Sequence, residues 1–263
     1  MNLGPPELSS ARSGAFETLR VYRGTPFAWR RHLERLTGAA ADVGITAPDP
    51  ARVRRGVDEV LRADGLVDAR VRITVLAPHV GSVDGPDDEP ADVIIGAGAL
   101  PPRPVVARVV IAHWPRNDRA AMAGVKSTSY AENVRAFADA RGRGADECVF
   151  ANTRGELCEA TGSNVFVVDR GVIRTPPESS GCLLGVTRSL VIELARADGI
   201  PVEETTMPIG ALGTTDEAFL TSTTREVQAI GEVDGSSLRS APGPMTRRLA
   251  ALYTDLVDRD LDP

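Results

Sequence analysis

The segment that most constrains the fold runs through residues 105–168, where apolar strands alternate with a helix. Its apolar periodicity predicts a strand over 105–112, a helix over 131–141 and a strand over 164–168. Lys126 lies between the first strand and the helix, after a glycine-containing turn. Strands that alternate with helices pack as a sheet covered by helices, so this segment predicts an α/β unit with a lysine at its connection.

The residues before this segment predict a smaller α+β unit. Apolar and polar residues alternate in its strands, and apolar residues recur at helical spacing in its helices. The predicted elements are strands over 15–22, 69–76 and 91–95, helices over 27–41 and 51–64, and a solvated loop over 81–90.

A proline cluster divides the chain. Clustered prolines resist both a helix and a central strand, and they give a stiff, extended connection. The sequence therefore predicts a small N-terminal domain over 1–99, a linker over 100–104 and a large domain over 105–263. In the large domain we also expect strands over 148–151, 172–174, 202–205 and 217–221, and helices over 184–197 and 245–256.

Composition narrows the class of partner. A net charge of −6 and a pI near 5.2 argue against a nucleic-acid or anionic-membrane surface, so a small molecule is the expected partner. No apolar run is long enough to span a bilayer, and the first residues do not resemble a secretory signal. Three cysteines without CxxC spacing favour the reducing cytoplasm over disulfides or zinc. No metal site is expected, and His32, His79 and His113 are predicted to be surface or packing residues.

Lys126 could be a strand-terminal charge that reaches water, or it could be a nucleophile. As a Schiff-base lysine it would have to lose its proton, which requires a desolvated setting that contains other cations. A pyridine-type cofactor would need a carboxylate beside its ring nitrogen, and its phosphate would need arginine and free N–H groups. Residues 181–188 are predicted to supply such N–H groups, because a glycine-bearing loop there leads into a helix and the first N–H groups of a helix have no partner within it.

Six motifs together carry a resemblance to a known family. They are AFETLRVY with HLERL, KSxxY, GELCEATGSNVFVV, TPPESSGCLLGVTR and DEAFLTSTTREV, in that order along the chain. The chain resembles the class-IV, or fold-type IV, pyridoxal-phosphate enzymes, which include branched-chain and D-amino-acid aminotransferases and aminodeoxychorismate lyases. The resemblance implies two α/β domains with pyridoxal 5′-phosphate in the cleft between them, and a homodimer.

The resemblance also implies a role for particular residues. Lys126 matches the Schiff-base lysine that carries the proton, and Glu159 matches the carboxylate on the pyridine nitrogen. Asn164 would order the surroundings of that carboxylate, Arg35 would hold the phosphate, and Tyr130 would contact the cofactor O3′. The remaining candidates are Leu183 against the ring, Val186, Thr187 and Thr223 at the phosphate, and Arg72 and Thr224 at the substrate.

The sequence departs from the family pattern in two places. The D-R-G-x-x-Y-G-D-G turn that usually precedes F-E-T is replaced by SSARSG, so either the small domain is trimmed or the translation start lies upstream. The glycine-bearing turn after Arg70-Val-Arg72 is replaced by Leu76-Ala-Pro-His79, close to where the substrate carboxylate should bind.

Three functions follow as alternatives. The FETLRVYRG start and KSxxY favour a lyase that acts on 4-amino-4-deoxychorismate and expels pyruvate to leave p-aminobenzoate. The TSTTREV motif favours an aminotransferase for branched-chain amino acids, D-amino acids or secondary-metabolite amines. A catalytically silent binding protein would not need Lys126, Glu159 and Arg35 together, so it is the least expected of the three.

Overall fold

The computed structural model describes residues 12–77 and 91–263, which form two sheets and six α-helices. Residues 1–11, the loop predicted over 81–90 and His79 lie outside the described residues. Helices pack on both sheets, which confirms the mixed α/β class that the sequence predicts.

The first sheet belongs to the N-terminal part of the chain. Its elements are β1 (Gly14–Tyr22), β2 (Thr25–Pro26), α1 (Trp29–Asp42), α2 (Pro50–Ala63), β3 (Ala69–Leu76) and β4 (Asp92–Gly98). The four strands are antiparallel in the order β2-β1-β3-β4. Alternation in β3 buries Val71 and Ile73 against the helices and turns Arg70 and Arg72 to the opposite face. That opposite face forms one wall of the candidate site.

The second sheet contains the remaining strands. Its elements are β5 (Val106–Ile111), α3 (Ala131–Gly142), β6 (Glu147–Ala151), β7 (Leu157–Ala160), β8 (Asn164–Asp169), β9 (Val172–Thr175), α4 (Val186–Ala197), β10 (Val202–Glu204), α5 (Ala211–Thr214), β11 (Glu217–Ser222), β12 (Glu226–Val233), β13 (Ser236–Ser237) and α6 (Pro244–Arg259). The strand order is β10-β9-β8-β11-β12-β5-β6-β7, and β13 pairs with β12.

Strands β8 and β11 form the middle of the second sheet and are buried on both faces. Phe166 and Phe219 pair directly across them and stack with ring centroids 4.8 Å apart. Helices α4 and α6 cover one face of this sheet, and a second apolar cluster fills the other face. The buried centre fixes where β7, β8 and α4 present their polar ends to the site.

Several boundaries differ from the sequence predictions for local reasons. Helix α1 begins at Trp29 rather than at residue 27, because Ala28 adopts a left-handed conformation with φ 52°. Helix α4 begins at Val186 rather than at residue 184, because Gly185 is extended. The sequence did not predict β7 or β12. The ladders to β11 and β5 hold β12 in place, although its sequence contains two glutamates and a glycine.

Residues 99–105 connect β4 to β5 and so join the two sheets. We propose that the domain boundary lies at 100–104, because the described residues on either side of it belong to different sheets.

Candidate active site

A cavity of about 240 Å³ lies between the two sheets. The first sheet and its helix α1 contribute an aromatic ring and cations to the lining, and the second sheet contributes a carboxylate and hydroxyls. The lining residues from the sequence-predicted set are Arg35, Arg72, Lys126, Tyr130, Glu159, Asn164, Leu183, Val186, Thr187, Thr223 and Thr224. The fold therefore brings every candidate to one place.

Lys126 reaches the cavity from a long irregular connection rather than from the end of β5. Its carbonyl accepts the N–H of Phe16 at 3.0 Å, and the N–H of Thr128 donates to the carbonyl of Gly14 at 2.8 Å. These two bonds and the bridge between Ala15 and Ser127 extend β1 by a short antiparallel pairing. The backbone on both sides of the lysine is thus fixed by the first sheet.

The Lys126 amine lies over two aromatic rings. Its Nζ is 4.5 Å from the ring centre of Phe16 and 5.8 Å from that of Tyr130. Burial lowers the pKa of Lys126 from 10.5 to about 8, and the Arg35 guanidinium adds to this effect while the Glu17 carboxylate opposes it. A substantial fraction of the amine is therefore neutral just above neutral pH, and only the neutral amine is a nucleophile.

Glu159 and Asn164 lie on two successive strands, β7 and β8, and the sequence predicted only the second of these strands. Glu159 Oε2 accepts the N–H of Leu183 at 3.0 Å, and Asn164 Nδ2 donates to the carbonyl of Leu183 at 2.6 Å. One backbone unit thus ties the two side chains together. Burial raises the pKa of the Glu159 carboxyl, while the nearby guanidinium of Arg116 opposes that rise.

One part of the cavity, the recess, is lined by Gly185, Val186 and Thr187 at the start of α4. A Cβ atom placed on Gly185 would lie 2.2 Å from Asn164 Oδ1, so a larger residue there would have to displace the amide that Asn164 donates to the Leu183 carbonyl. The Oγ1 of Thr221 and the Oγ of Ser163 line the cavity, and both are buried without a hydrogen-bond partner among the described residues. Together with the positive end of the α4 dipole, these unpaired hydroxyls form a site for an anion.

Arg35 is held beside this recess by a buried cluster that sequence analysis missed. Glu17 accepts two hydrogen bonds from Arg35, from Nε at 2.6 Å and from Nη2 at 2.8 Å. Glu17 also lies 2.7 Å from Nδ1 of His32, and Arg35 Nη1 donates to the carbonyl of Leu184 at 3.1 Å. Burial opposes the charge on Glu17, but Arg35 and His32 hold its pKa well below the ordinary value.

One sequence signal could have revealed the cluster. Glu17 is the one acidic residue of strand β1, and His32 and Arg35 are three residues apart on the helix that packs on that strand. His32 is therefore a buried packing residue, as expected, and it acts by contacting Glu17.

The wall opposite the recess is rich in arginine. The guanidinium of Arg72 stacks over the Phe16 ring at 3.7 Å, and its Nε donates to Thr74 Oγ1 at 3.3 Å. Arg70 lies two residues away on the same face of β3 and also lines the cavity. Among the described residues neither arginine forms a salt bridge with an acidic side chain. Two cations without an acidic partner in the cavity lining suit a ligand that carries a carboxylate.

Tyr130 lines the cavity near both Lys126 and Glu159. Its ring packs edge-on to Phe16 with centroids 5.2 Å apart. Burial and the Glu159 carboxylate raise the pKa of its phenol to about 12, so the hydroxyl remains a hydrogen-bond donor at neutral pH.

The cysteines and His113 do not line the cavity. Cys148, Cys158 and Cys182 are buried free thiols, and His113 is exposed beside Trp114. In the part of the chain that the structure describes, no three His, Cys, Asp or Glu side chains group as metal ligands would. None of the described helices has the length and apolar character to cross a bilayer.

Comparison with known proteins gives a consistent result. The sequence model of the family described as amino-transferase class IV matches residues 14–233. A proposed branched-chain-amino-acid aminotransferase of Methanocaldococcus jannaschii is 31% identical over 252 residues, which is 92% of this chain and 86% of that protein. D-alanine aminotransferases of Listeria monocytogenes and Listeria innocua are also relatives, at 27–29% identity.

Solved structures resemble this fold over most of its length. The branched-chain amino acid aminotransferase of Thermobaculum terrenum in its PLP form has a TM-score of 0.84 and 27% identity, with coverage of 94% of this chain and 86% of that one. A proposed 4-amino-4-deoxychorismate lyase of Legionella pneumophila has a TM-score of 0.85 and 22% identity, with coverage of 92% and 90%. At that identity the likeness to the lyase supports the fold alone.

Proposed function

We propose that this chain, which belongs to the amino-transferase class IV family, transfers the amino group of an amino acid to a 2-oxo acid. It is an enzyme that depends on pyridoxal phosphate. The observation that most supports the proposal is that Lys126 and Glu159 line the same cavity as the anion recess at the start of α4. The relatives that are close in sequence are named as aminotransferases, so the comparisons do not support the lyase that the sequence favoured.

The residues of the cavity fit pyridoxal phosphate. An aldehyde needs a neutral amine, and the pKa of Lys126 is near 8. A pyridine nitrogen needs a buried carboxylate, which Glu159 supplies. A phosphate needs donors, and the buried hydroxyls of Thr221 and Ser163 have no partner among the described residues. We assign the ring to Leu183, Tyr130, Glu159 and Asn164, and the phosphate to Arg35, Val186, Thr187 and Thr223.

The chemistry that the bound cofactor supplies is an aldehyde that condenses with amines and a ring that takes up electrons. Within that chemistry Lys126 moves the proton, because its Nζ can accept a proton from the substrate carbon and return it. Glu159 holds the proton on the ring nitrogen by remaining ionised beside it. Glu17 fixes the guanidinium of Arg35 at the phosphate end.

We assign the substrate carboxylate to the arginine wall. Arg72 is held flat on Phe16, so its donors are oriented before a ligand arrives. Thr224, which follows β11, lines the same side of the cavity. Branched-chain amino acids and D-alanine are the donors to test first, because relatives are named for them.

A side-by-side assay tests the function. Transfer of an amino group from leucine or D-alanine that requires 2-oxoglutarate or pyruvate would support the proposal. Release of pyruvate from 4-amino-4-deoxychorismate without an acceptor would replace it with the lyase. Borohydride reduction of the holoenzyme should attach the cofactor permanently to Lys126, the only lysine in the sequence. A protein that binds no pyridoxal phosphate and is never labelled would overturn both activities.

We also propose that two copies of the chain associate. Val134 and Phe137 lie three residues apart on α3 and are 65% and 40% exposed, which is unusual for large apolar side chains. A second copy would cover such a face. Light scattering on the active protein should give the mass of a dimer, and a fully active monomer would contradict the association.

A further inference from the structure

Arg116 lies in the connection between β5 and Lys126 and is fixed at both its backbone and its side chain. Its N–H donates to the carbonyl of Ala151 at 2.7 Å. Its guanidinium stacks on the Phe150 ring at 4.3 Å, and Nη1 donates to Asn133 Oδ1 at 3.1 Å and to Glu132 Oε2 at 3.2 Å. These contacts leave one edge of the guanidinium free.

The free edge faces Glu159. Arg116 Nε lies 3.5 Å from Glu159 Oε1, and this nitrogen is buried without a hydrogen-bond partner among the described residues. Only 13% of the Arg116 side chain and 14% of the Glu159 side chain are exposed. An ion pair so little exposed to solvent is weakly screened, so the charge of one member strongly affects the other.

Glu159 needs this partner because its other cation is not permanent. Lys126 also stabilises the charged carboxylate, but it has to give up its own proton to act as a nucleophile. The guanidinium of arginine stays charged throughout the accessible pH range. When Lys126 becomes neutral, Arg116 is the cation that remains beside Glu159.

The other ionisable groups near Glu159 cannot take over this task. Tyr130 lies on the cavity side, and Cys158 and Cys182 lie on β7 and before α4. Burial raises the pKa of all three groups, so they are neutral at neutral pH. They provide neither a positive charge nor a competing negative one.

We propose that Arg116 is a positioning residue that keeps the Glu159 carboxylate ionised and aimed at the cofactor nitrogen, whatever the charge on Lys126. The part of this role that concerns the cofactor nitrogen rests on the proposed function. The effect of Arg116 on the charge of Glu159 does not. Arg116 itself does not line the cavity, because it approaches Glu159 from the side of α3.

Infrared difference spectroscopy of the full chain before the cofactor is added tests the charge directly. Comparison with Glu159→Gln identifies the bands of this one carboxyl group. The wild-type protein should show an ionised carboxylate at neutral pH, and Arg116→Met should show a protonated acid in its place. Arg119→Met removes an exposed arginine from the same connection and should leave the carboxylate unchanged. An ionised Glu159 in a folded Arg116→Met protein would overturn the proposal.

A second variant decides the question even if Arg116→Met fails to fold. In Lys126→Met the amine is absent, so Arg116 is the one cation left beside Glu159 among the described residues. Glu159 should remain ionised in this variant at neutral pH. A protonated Glu159 there would mean that the lysine, and not Arg116, maintains the charge.

Titration of the protein with pyridoxal phosphate provides the link to the cofactor. Arg116→Met should bind at least about tenfold more weakly, because an opposite charge at this distance changes the ionised fraction of a carboxyl by that factor or more. Arg116→Lys, which keeps a cation, should recover most of the affinity. Unchanged affinity in Arg116→Met would overturn the role toward the cofactor. A wild-type protein that does not bind pyridoxal phosphate would instead overturn the proposed function, and the infrared result would still decide what Arg116 does to Glu159.

Discussion

Replacing Lys126 by methionine should stabilise the protein without its cofactor at neutral pH. Lys126 is the only lysine in the sequence, and burial of its amine among aromatic rings and guanidinium groups makes the charged form unfavourable. Methionine has a similar length and no charge, so it imitates the neutral lysine. The wild-type protein has to retain the proton in a site that disfavours it, and the variant does not.

The size and the pH range of the effect follow from the pKa of Lys126. The difference between 10.5 and about 8 is 2.5 units, or about 3 kcal/mol at 1.36 kcal/mol per unit. Between these two pH values the unfolded chain holds a proton that the folded chain lacks, so the stability of the wild type rises with pH. Methionine should therefore stabilise the protein by at most about 3 kcal/mol below pH 8, and the gain should vanish above pH 10.5.

Urea denaturation at a series of pH values measures the difference. Tyrosine ionisation also changes stability at high pH, but it affects both proteins equally and cancels when they are compared. Lys126→Arg is the matched control, because arginine keeps its charge over the whole range and should be less stable than the methionine variant throughout. Parallel pH profiles for wild type and Lys126→Met, or a wild type that is the more stable at neutral pH, would refute the reasoning.

Three further substitutions test the rest of the site. Glu17→Gln should lower the free energy of unfolding by about 3–5 kcal/mol at neutral pH, because it leaves Arg35 without its buried partner. The loss, measured by denaturation, should shrink as the pH falls below 4.5, where the Glu17 carboxyl of the unfolded wild-type chain takes up a proton. Gly185→Ala should weaken the binding of pyridoxal phosphate in a fluorescence titration, because the added carbon would lie 2.2 Å from Asn164 Oδ1; affinity equal to wild type would contradict the recess. Arg72→Leu should lower kcat/KM about tenfold to a hundredfold through loss of a charged hydrogen bond to the substrate, and an unchanged value in steady-state assays would move the carboxylate site elsewhere.

Much of the fold could be predicted because some patterns are local. The bounds of β3 were predicted correctly, because its buried residues alternate with less buried ones along the whole strand. The strand β12 could not be predicted in this way, because its position depends on two neighbouring strands that are distant in sequence. The strand β7 was also missed, because only three residues separate it from β8.

The candidate residues of the site were found through motifs, and their supporting residues were not. The roles given to Lys126, Glu159 and Arg35 stay predictions, although one cavity contains all three. Glu17 could be suspected from its place on β1 beside a helix that carries His32 and Arg35, but its burial and its hydrogen bonds are visible only in the structure. Arg116 carries no sequence signal of its own, because its importance depends on burial and on the charge of Glu159. A single sequence does not encode such distances in any local pattern, so the partners of a charged residue become visible only in the folded chain.

The pairing of the lysine segment with β1 limits how the enzyme can admit its ligands. A hinge motion that moved the lysine segment away from β1 would break the backbone hydrogen bonds that the N–H groups of Phe16 and Thr128 donate to Lys126 and Gly14. Entry and exit should therefore take place through the cavity mouth while those bonds persist. In hydrogen–deuterium exchange the amides of these two residues should exchange slowly during turnover. A ligand should change the exchange rates only of residues around the opening of the cavity.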